Sequence, residues 1–309
     1  MSNRIVFNQK ISYGIFIQFS YARCCTISII AFAHHKGGTG KTTSCLNIAG
    51  FLQLNGDRVL IVDCDPQANA TSGLGVDPFA HQPNMYDVFM SFFDGFPDIF
   101  LDDVVIETGS GISLAPSSLD LVGVEPYLYN IEERAEILKA ALSSVEDAYE
   151  YILIDTPPSM GQFVINGLVA AEKTIVTLDS GIFALKGIEA LATIFDDIEE
   201  NVGREIAADM AILTRWGNGS NPPTPIDKIA AFVKRMLYGG AAADNGATET
   251  KRLDAFEHEV KQLFPSVYTV PFDGKVYEAQ QNGIPLSVFA PESAAARKYR
   301  EITQAIRNW

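Results

Sequence analysis

The sequence predicts an α/β fold in which one doubly wound, mostly parallel sheet is covered by helices on both faces. Three observations carry that expectation. Seven short apolar runs recur along the chain, helical patterns separate most of them, and a glycine-rich turn joins the first run to the first helix. Strands buried on both faces read as continuous apolar segments, not as alternating ones.

Residues 1–25 are hydrophobic and aromatic without a clear period. They lack the apolar centre and small-residue cleavage site of a secretory signal. They are expected to be a poorly defined leader, or the product of a start codon set too far upstream; Cys24 and Cys25 are in principle open to acylation. From Thr26 the pattern is legible, and residues 26–309 are read as a single domain. TISIIAFA (26–33) is a first buried strand. A glycine loop follows, then a helical pattern over 41–55 with Leu46, Ala49, Phe51, Leu52 and Leu54 broadly on one side and Gly56 as its stop. RVLIVD (58–63) is the second strand and completes a right-handed βαβ unit. GISLAP (111–116), YILID (151–155), TIVTL (174–178), MAILT (210–214) and VYTVP (267–271) extend the sheet. Helical patterns lie near 131–148, 161–171, 184–201, 226–237, 251–264 and 293–308. Two stretches rich in Gly, Pro and small polar residues, 216–225 and 239–250, read as insertions around one helix.

The formal net charge is −15 over 309 residues. A chain devoted to gripping nucleic acid is usually basic. Any DNA contact here must come from a local patch, helped by a Debye length of about 8 Å at physiological salt. The four cysteines, Cys24, Cys25, Cys45 and Cys64, form no C-x-x-C pair and have no histidine at ligand spacing. That argues against zinc, an iron–sulfur cluster or a disulfide framework, and fits a reducing cytoplasm. No apolar run is long enough to span a bilayer.

HHKGGTGKTT (34–43) stands between the first strand and the first helix. His35 occupies the place where the phosphate-loop pattern G-x-x-x-x-G-K-[ST] carries its first glycine, and Lys36 follows it. Gly37, Gly38 and Gly40, with Thr39 among them, let the backbone approach phosphate oxygens and turn its N–H groups inward. The helix N-terminus adds partial positive charge. Lys41 would pair with the β- and γ-phosphates, the Thr42 hydroxyl would coordinate Mg²⁺, and Thr43 closes the run. A glycine turn that binds nothing is the plain alternative, and the strand–loop–helix context weighs against it. LIVDCDPQAN (60–69) puts Asp63 and Asp65 at the carboxyl end of a buried strand, and YILIDTPPS (151–159) does the same for Asp155. A lone strand-end aspartate is usually a turn or cap former. Three of them beside a phosphate loop read as a site for metal and attacking water.

KGGTGKTT, VDCDPQANATSGLG and LIDTPPS, in that order, resemble the deviant Walker A ATPases of the ParA/MinD superfamily, the ParA (Soj-like) partition ATPases most of all. Residues 270–302, VPFDGKVYEAQQNGIPLSVFAPESAAARKYREI, are similar to that family's closing segment. The likeness covers about residues 26–308, interrupted mainly between 215 and 265. It implies a P-loop NTPase fold, ATP and Mg²⁺ as cofactors, and slow hydrolysis of ATP to ADP and phosphate that a partner stimulates. In this family the first glycine is dispensable and the lysine beside it is the signature. Lys36 is thus implied to reach across a nucleotide-sandwich homodimer to the partner's phosphates, as an arginine finger supplied in trans does. Asp65 matches the switch I aspartate that handles the attacking water, Asp63 belongs to the same metal-side cluster, and Asp155 would reach Mg²⁺ through water. Residues 155–161 look like switch II. Pro271 and Phe272 stand where the family packs the adenine, and Thr214 ends the strand facing it.

The resemblance also implies partners. ParA-type members bind DNA without sequence preference when ATP-bound and release it when a ParB-like protein stimulates hydrolysis. MinD-type members bind membrane through an amphipathic C-terminal helix. Here Ala295, Tyr299, Ile302 and Ile306 fall on one stripe, which reads as core packing, and no separate basic anchor is visible, so no membrane association is expected. Candidate DNA contacts are Arg215, Lys234, Arg235, Lys251 and Arg252, set against the alternative of ordinary solvated charges among Asp227, Asp244, Glu249 and Asp254. With no cysteine beyond Cys64, the nitrogenase iron protein and iron–sulfur carrier relatives are set aside. A single Tyr299 does not make the tyrosine cluster of the related kinases. A non-hydrolysing, nucleotide-switched scaffold stays open as an alternative. The expectation is a cytoplasmic ATPase, nucleoid-associated in its ATP state, that positions DNA or another cargo.

Overall fold

Ser28–Ala33 (β1) sends alternate residues into two different cores. Ile29, Ala31 and Ala33 pack into one apolar cluster, Ile30 and Phe32 into another. Both faces of the strand are therefore covered, which is why its sequence is continuously apolar. The computed structural model describes residues 27–34, 36–80, 83–179, 184–216 and 255–309. Within them, Val59–Asp63 (β2), Ile106–Glu107 (β3), Ser113–Ala115 (β4), Tyr151–Asp155 (β5), Lys173–Asp179 (β6), Met210–Trp216 (β7) and Val267–Pro271 (β8) join β1 in one sheet of order β3-β4-β2-β5-β1-β6-β7-β8. Only the β3–β4 pair is antiparallel. The two-residue edge strand β3 carries too little pattern to be foreseen, and the other seven match the apolar runs.

The chain leaves β1 toward β2 on one side and later reaches β6 on the other. Strand order thus reverses at β1, which opens a crevice at the carboxyl ends of β1, β2, β5 and β6. Register sharpens this: β5 lies between β1 and β2, and Asp63 stands opposite Asp155. Helices Gln162–Ala170 and Ala184–Val202 cover one face through Phe163, Val164, Leu168, Leu191, Ile194 and Ile198. The other face takes Lys41–Leu54 (α1) and the helix Ala294–Ile306.

The sequence suggested a one-sided apolar stripe for α1, and the structure differs. Residues 44–52 are all buried, whereas Leu54 is 59% exposed. The sheet covers α1 on one side and the Ala294–Ile306 helix covers it on another, so burial has no helical period. Ser44 and Tyr299 share a hydrogen bond of 3.2 Å across that second contact. The expected stripe of Ala295, Tyr299, Ile302 and Ile306 is buried. The helix expected near 131–148 is broken into Ile137–Leu142 and a 3₁₀ turn at Glu146–Ala148. Cys45 and Cys64 are buried free thiols. The leader, the pattern at 226–237 and most of the two insertions lie outside the described residues. Among the described residues no helix is long and apolar enough to cross a membrane.

The segment after β8 is fastened to α1. The Asn47 Oδ1 accepts the Leu286 N–H at 2.8 Å, and Gly50 abuts Pro285 and Ser287. A Cβ on Gly50 would lie 2.5 Å from the Ser287 Oγ and 2.7 Å from the Pro285 Cβ. Alanine in a helix interior normally stabilises by about 1 kcal/mol over glycine. Here overpacking costing about 1–3 kcal/mol outweighs that gain. Gly50→Ala is therefore expected to lower the urea midpoint of unfolding, and an unchanged or higher midpoint would contradict this packing.

Candidate active site

The loop between β1 and α1 is shaped by its glycines. Gly38 and Gly40 have φ of +78° and +89°, in the left-handed region that favours glycine. Gly40 is also confined, since a Cβ there would meet the Thr214 Cγ2 at 2.8 Å. Gly37, Gly38, Gly40, Lys41, Thr42 and Thr43 line a cavity of about 390 Å³, together with Asp65, Asn69, Ser72, Gly73, Pro158 and Gln280. The expectation for Thr39 concerns its backbone within the loop, and its side chain has a separate place. Its side chain is fully buried, shares a 3.0 Å hydrogen bond with the Thr177 hydroxyl, and points into the sheet instead of lining the cavity. The Thr214 hydroxyl donates to the Thr39 carbonyl at 2.8 Å and fixes the loop from β7.

Lys41 is 6% exposed, and burial lowers its pKa while Asp155 and Asp65 pull it back up. The Thr42 hydroxyl donates to the Asp155 Oδ2 at 2.6 Å. The other carboxylate oxygen, Oδ1, is buried and accepts no hydrogen bond. A buried acceptor without a donor is costly, and a divalent cation ligated by the neighbouring hydroxyl would satisfy it directly or through a water. The donor set is hard oxygen, as Mg²⁺ requires, and so the residues fit that metal. Burial, then Asp63, push the Asp155 carboxyl well above the usual carboxylate range. Burial also raises Asp65, which is 4% exposed and lines the cavity while its Oδ1 accepts the Gln67 N–H at 2.9 Å.

Asp63 is placed differently from its expected metal role. Its Oδ2 accepts the Thr71 N–H at 2.9 Å and the Thr71 hydroxyl at 2.7 Å, and its Oδ1 accepts the Asp65 N–H at 3.1 Å. It does not line the cavity. This carboxylate instead holds the loop that carries Asp65, whose exit is strained: Ala68, at φ 51°, is the one non-glycine residue with positive φ among those described. Burial outweighs the three donors and pushes Asp63 up to about 7.

Lys36 precedes Gly37 and does not itself line the cavity. Its N–H donates to the His34 Nδ1 at 3.0 Å, and its ammonium pairs with the Asp179 Oδ2 at 2.8 Å, at the end of β6. The two side chains are 38% and 21% exposed. A second cavity of about 540 Å³ adjoins the first, lined by Thr214, Val270, Pro271, Phe272, Asp273, Tyr277 and Tyr299 among others. Gly40, Thr43 and Gln280 line both. Asp273, the acidic residue at the start of this wall, is spent on structure: it accepts the Lys275 and Ala295 N–H groups, and those bonds hold its pKa down against burial. Lys234, Arg235, Lys251 and Arg252 lie outside the described residues, and of Arg215 only the backbone, in β7, is described. Pro158 falls in the segment 155–161 that resembles switch II, whereas Asn69, Ser72 and Gln280 were not expected at the site. None sits at a strand end or in a glycine loop, so local pattern could not single them out.

A glycine loop between strand and helix, a buried lysine, a threonine bonded to a strand-end aspartate and an adjoining apolar cavity define the class of P-loop nucleotide-binding proteins with a deviant Walker A loop. A family model for an AAA domain matches residues 27–208, and the chain belongs to that family, among its ParA/Soj-like ATPases. It is 28% identical over 279 residues to the sporulation initiation inhibitor protein Soj of Bacillus subtilis, covering 90% of this chain and 97% of that one. It is 26% identical over 283 residues to the chromosome partitioning protein ParA of Caulobacter vibrioides, covering 91% and 94%. In fold it is similar to the septum site-determining protein MinD of Pyrococcus horikoshii complexed with Mg-ADP, with TM-score 0.64, 22% identity and coverage of 91% and 96%.

Thr71 generates a prediction with a definite sign. The Asp63 carboxyl titrates near 3.9 when unfolded and near 7 when folded. The folded chain therefore binds the extra proton between those values, and this group's contribution to stability falls as pH rises from about 4 to about 7. Thr71→Val removes a donor to the ionised form. Expected is a loss of about 1–3 kcal/mol at pH 7.5 that shrinks at pH 5.5, read from urea unfolding at both values. An equal loss at both would place the effect elsewhere.

Proposed function

We propose that this chain is a Mg²⁺-ATP-dependent ATPase that pairs with a second copy when ATP-bound and, in that state, binds DNA without sequence preference to position DNA or another cargo. The observation that carries the reading is the placement of two lysines on one loop. Lys41 is buried and lines the cavity, while Lys36, five residues earlier, does not line it and keeps its side chain 38% exposed. The first suits its own chain's phosphates and the second suits contact outward, which supports the reading. The partition and septum-positioning names of the relatives support the same reading.

The chemistry follows from the residues. The loop N–H groups and Lys41 hold the triphosphate, and Thr42 and Asp155 hold the metal, which when bound neutralises charge on the β- and γ-phosphate oxygens. Asp65, raised by burial and facing the cavity, orients the attacking water and accepts its proton. Lys36 gives up Asp179 and stabilises charge on the partner's transferring phosphoryl group. The exchange is easy, because a half-exposed ion pair is worth only about 0.2–1 kcal/mol, whereas a polyphosphate offers several negative charges. Turnover is slow until an activating partner, of ParB-like kind, settles this geometry. DNA contact works against a net charge of −15, and so it depends on pairing to double the phosphate contacts.

Three measurements test this. Sedimentation with a non-cleavable ATP analogue is expected to show a dimer for the parent chain and a monomer for Lys36→Ala. Asp65→Ala is expected to pair with ATP and to persist as a dimer, with turnover reduced at least about a hundredfold. Parent-like turnover in both variants would refute the assigned roles. DNA retention is expected with ATP only and is expected to fall steeply between about 50 and 200 mM salt. Retention that ignores the nucleotide, or binding to lipid vesicles in its place, would overturn the DNA reading.

A further inference from the structure

Gln280 is the one side chain on the segment after β8 that reaches both cavities. It sits near the end of the helix Gly274–Gln281, and its Nε2 donates to the Thr43 Oγ1 at 2.9 Å. Thr43 and Gly40 are the other residues common to both cavities, so these three mark the passage between them. If the triphosphate lies over the glycine loop and the base in the larger cavity, this passage is where the α-phosphate must sit. The inference rests on that nucleotide reading.

A threonine hydroxyl has one proton and two lone pairs. By accepting from Gln280, Oγ1 uses a lone pair on the side facing the helix, and its own proton is left to be donated elsewhere. We infer that Gln280 is a positioning residue: it orients the Thr43 hydroxyl as a donor toward the α-phosphate and ties the base-side wall to the phosphate loop. The bond joins residues 237 apart in sequence, yet its geometry is held firmly. The Asn47 side chain accepts the Leu286 N–H at 2.8 Å just beyond Gln280, and Asn47 also donates to the Thr43 carbonyl at 2.7 Å. The segment after β8 is thus fastened to α1 at a second point one turn along α1, through the next helix, Leu286–Phe289.

An α-phosphate contact is shared by ADP and ATP and is indifferent to the γ-phosphate, and that separates this role from those of Lys36 and Asp65. Binding of Mg-ADP and Mg-ATP is measured by calorimetry on the full chain. Gln280→Ala is expected to weaken both by about three- to tenfold, equally within twofold, as for loss of one neutral hydrogen bond. Gln280→Glu is expected to weaken both further, because a carboxylate only accepts. It would draw the Thr43 proton toward itself and add negative charge beside the phosphates. Thr43→Val should weaken binding as much as Gln280→Ala, and the double variant should be no worse than Thr43→Val alone. Unchanged affinity in Gln280→Ala, additive losses in the double variant, or a loss confined to ATP would each overturn the assignment. A parent chain that binds neither nucleotide would instead overturn the nucleotide reading itself. Thermal melting without nucleotide checks that the variants fold.

Discussion

Three aspartates and one lysine share a small, nearly dry volume at the carboxyl ends of β2 and β5. Asp63, Asp155 and Asp65 are 0%, 0% and 4% exposed, and Lys41 is 6% exposed. Like charges at such distances cannot all be ionised without compensation. The surrounding architecture can be read as the means of arranging that compensation. Thr71 and the Asp65 backbone supply donors to Asp63, Thr42 supplies one to Asp155, and the positive end of α1 faces the same space. What these donors do not cover is one oxygen of Asp155, and that remainder is what makes the site fit a hard cation.

From this division of labour comes a distinction between the two aspartates of VDCD. Asp63 faces inward and is saturated, whereas Asp65 lines the cavity and spends one oxygen on the Gln67 N–H. Residues two apart within a strand share a face, but β2 ends at Asp63, so Asp65 stands on the turn beyond it and its side chain is aimed by that turn: one aspartate braces a loop, the other lines the cavity.

Much of this was legible beforehand. Buried parallel strands announce themselves by unbroken apolar runs, and GGTGKTT needs its glycines for reasons a sequence can show. Other features depend on long-range packing that no local window contains. The two-sided burial of α1 needs knowledge that Tyr299, 255 residues beyond Ser44, arrives to pack against it. Thr39 belongs to the expected loop, and its side chain turns into the sheet because Thr177 of β6 and the side chain of Thr214 of β7 are there to receive the loop. Asp63 was expected at a metal, and Thr71 claims it. In each case a residue of the correct chemistry stands in the expected neighbourhood, and its orientation is decided by a partner remote in sequence. The residue pairs at the junction of the two cavities are of that kind.

Where the wall after β8 meets the turn that follows the Asp65 loop, Gly283 and Gly75 face one another at φ of +65° and +76°. A methyl on Gly283 would lie 2.5 Å from the Gly75 Cα. This is a seam of bare backbone with no side chain to act as a cushion, so its tolerance is set by the width of a peptide. Side chains elsewhere can drift in size by a methylene and be absorbed by rotamer changes. Here nothing can rotate out of the way. Displacement of one wall is therefore transmitted to the other as rigid contact, and the cavity wall after β8 and the loop that carries Asp65 share a single mechanical clearance.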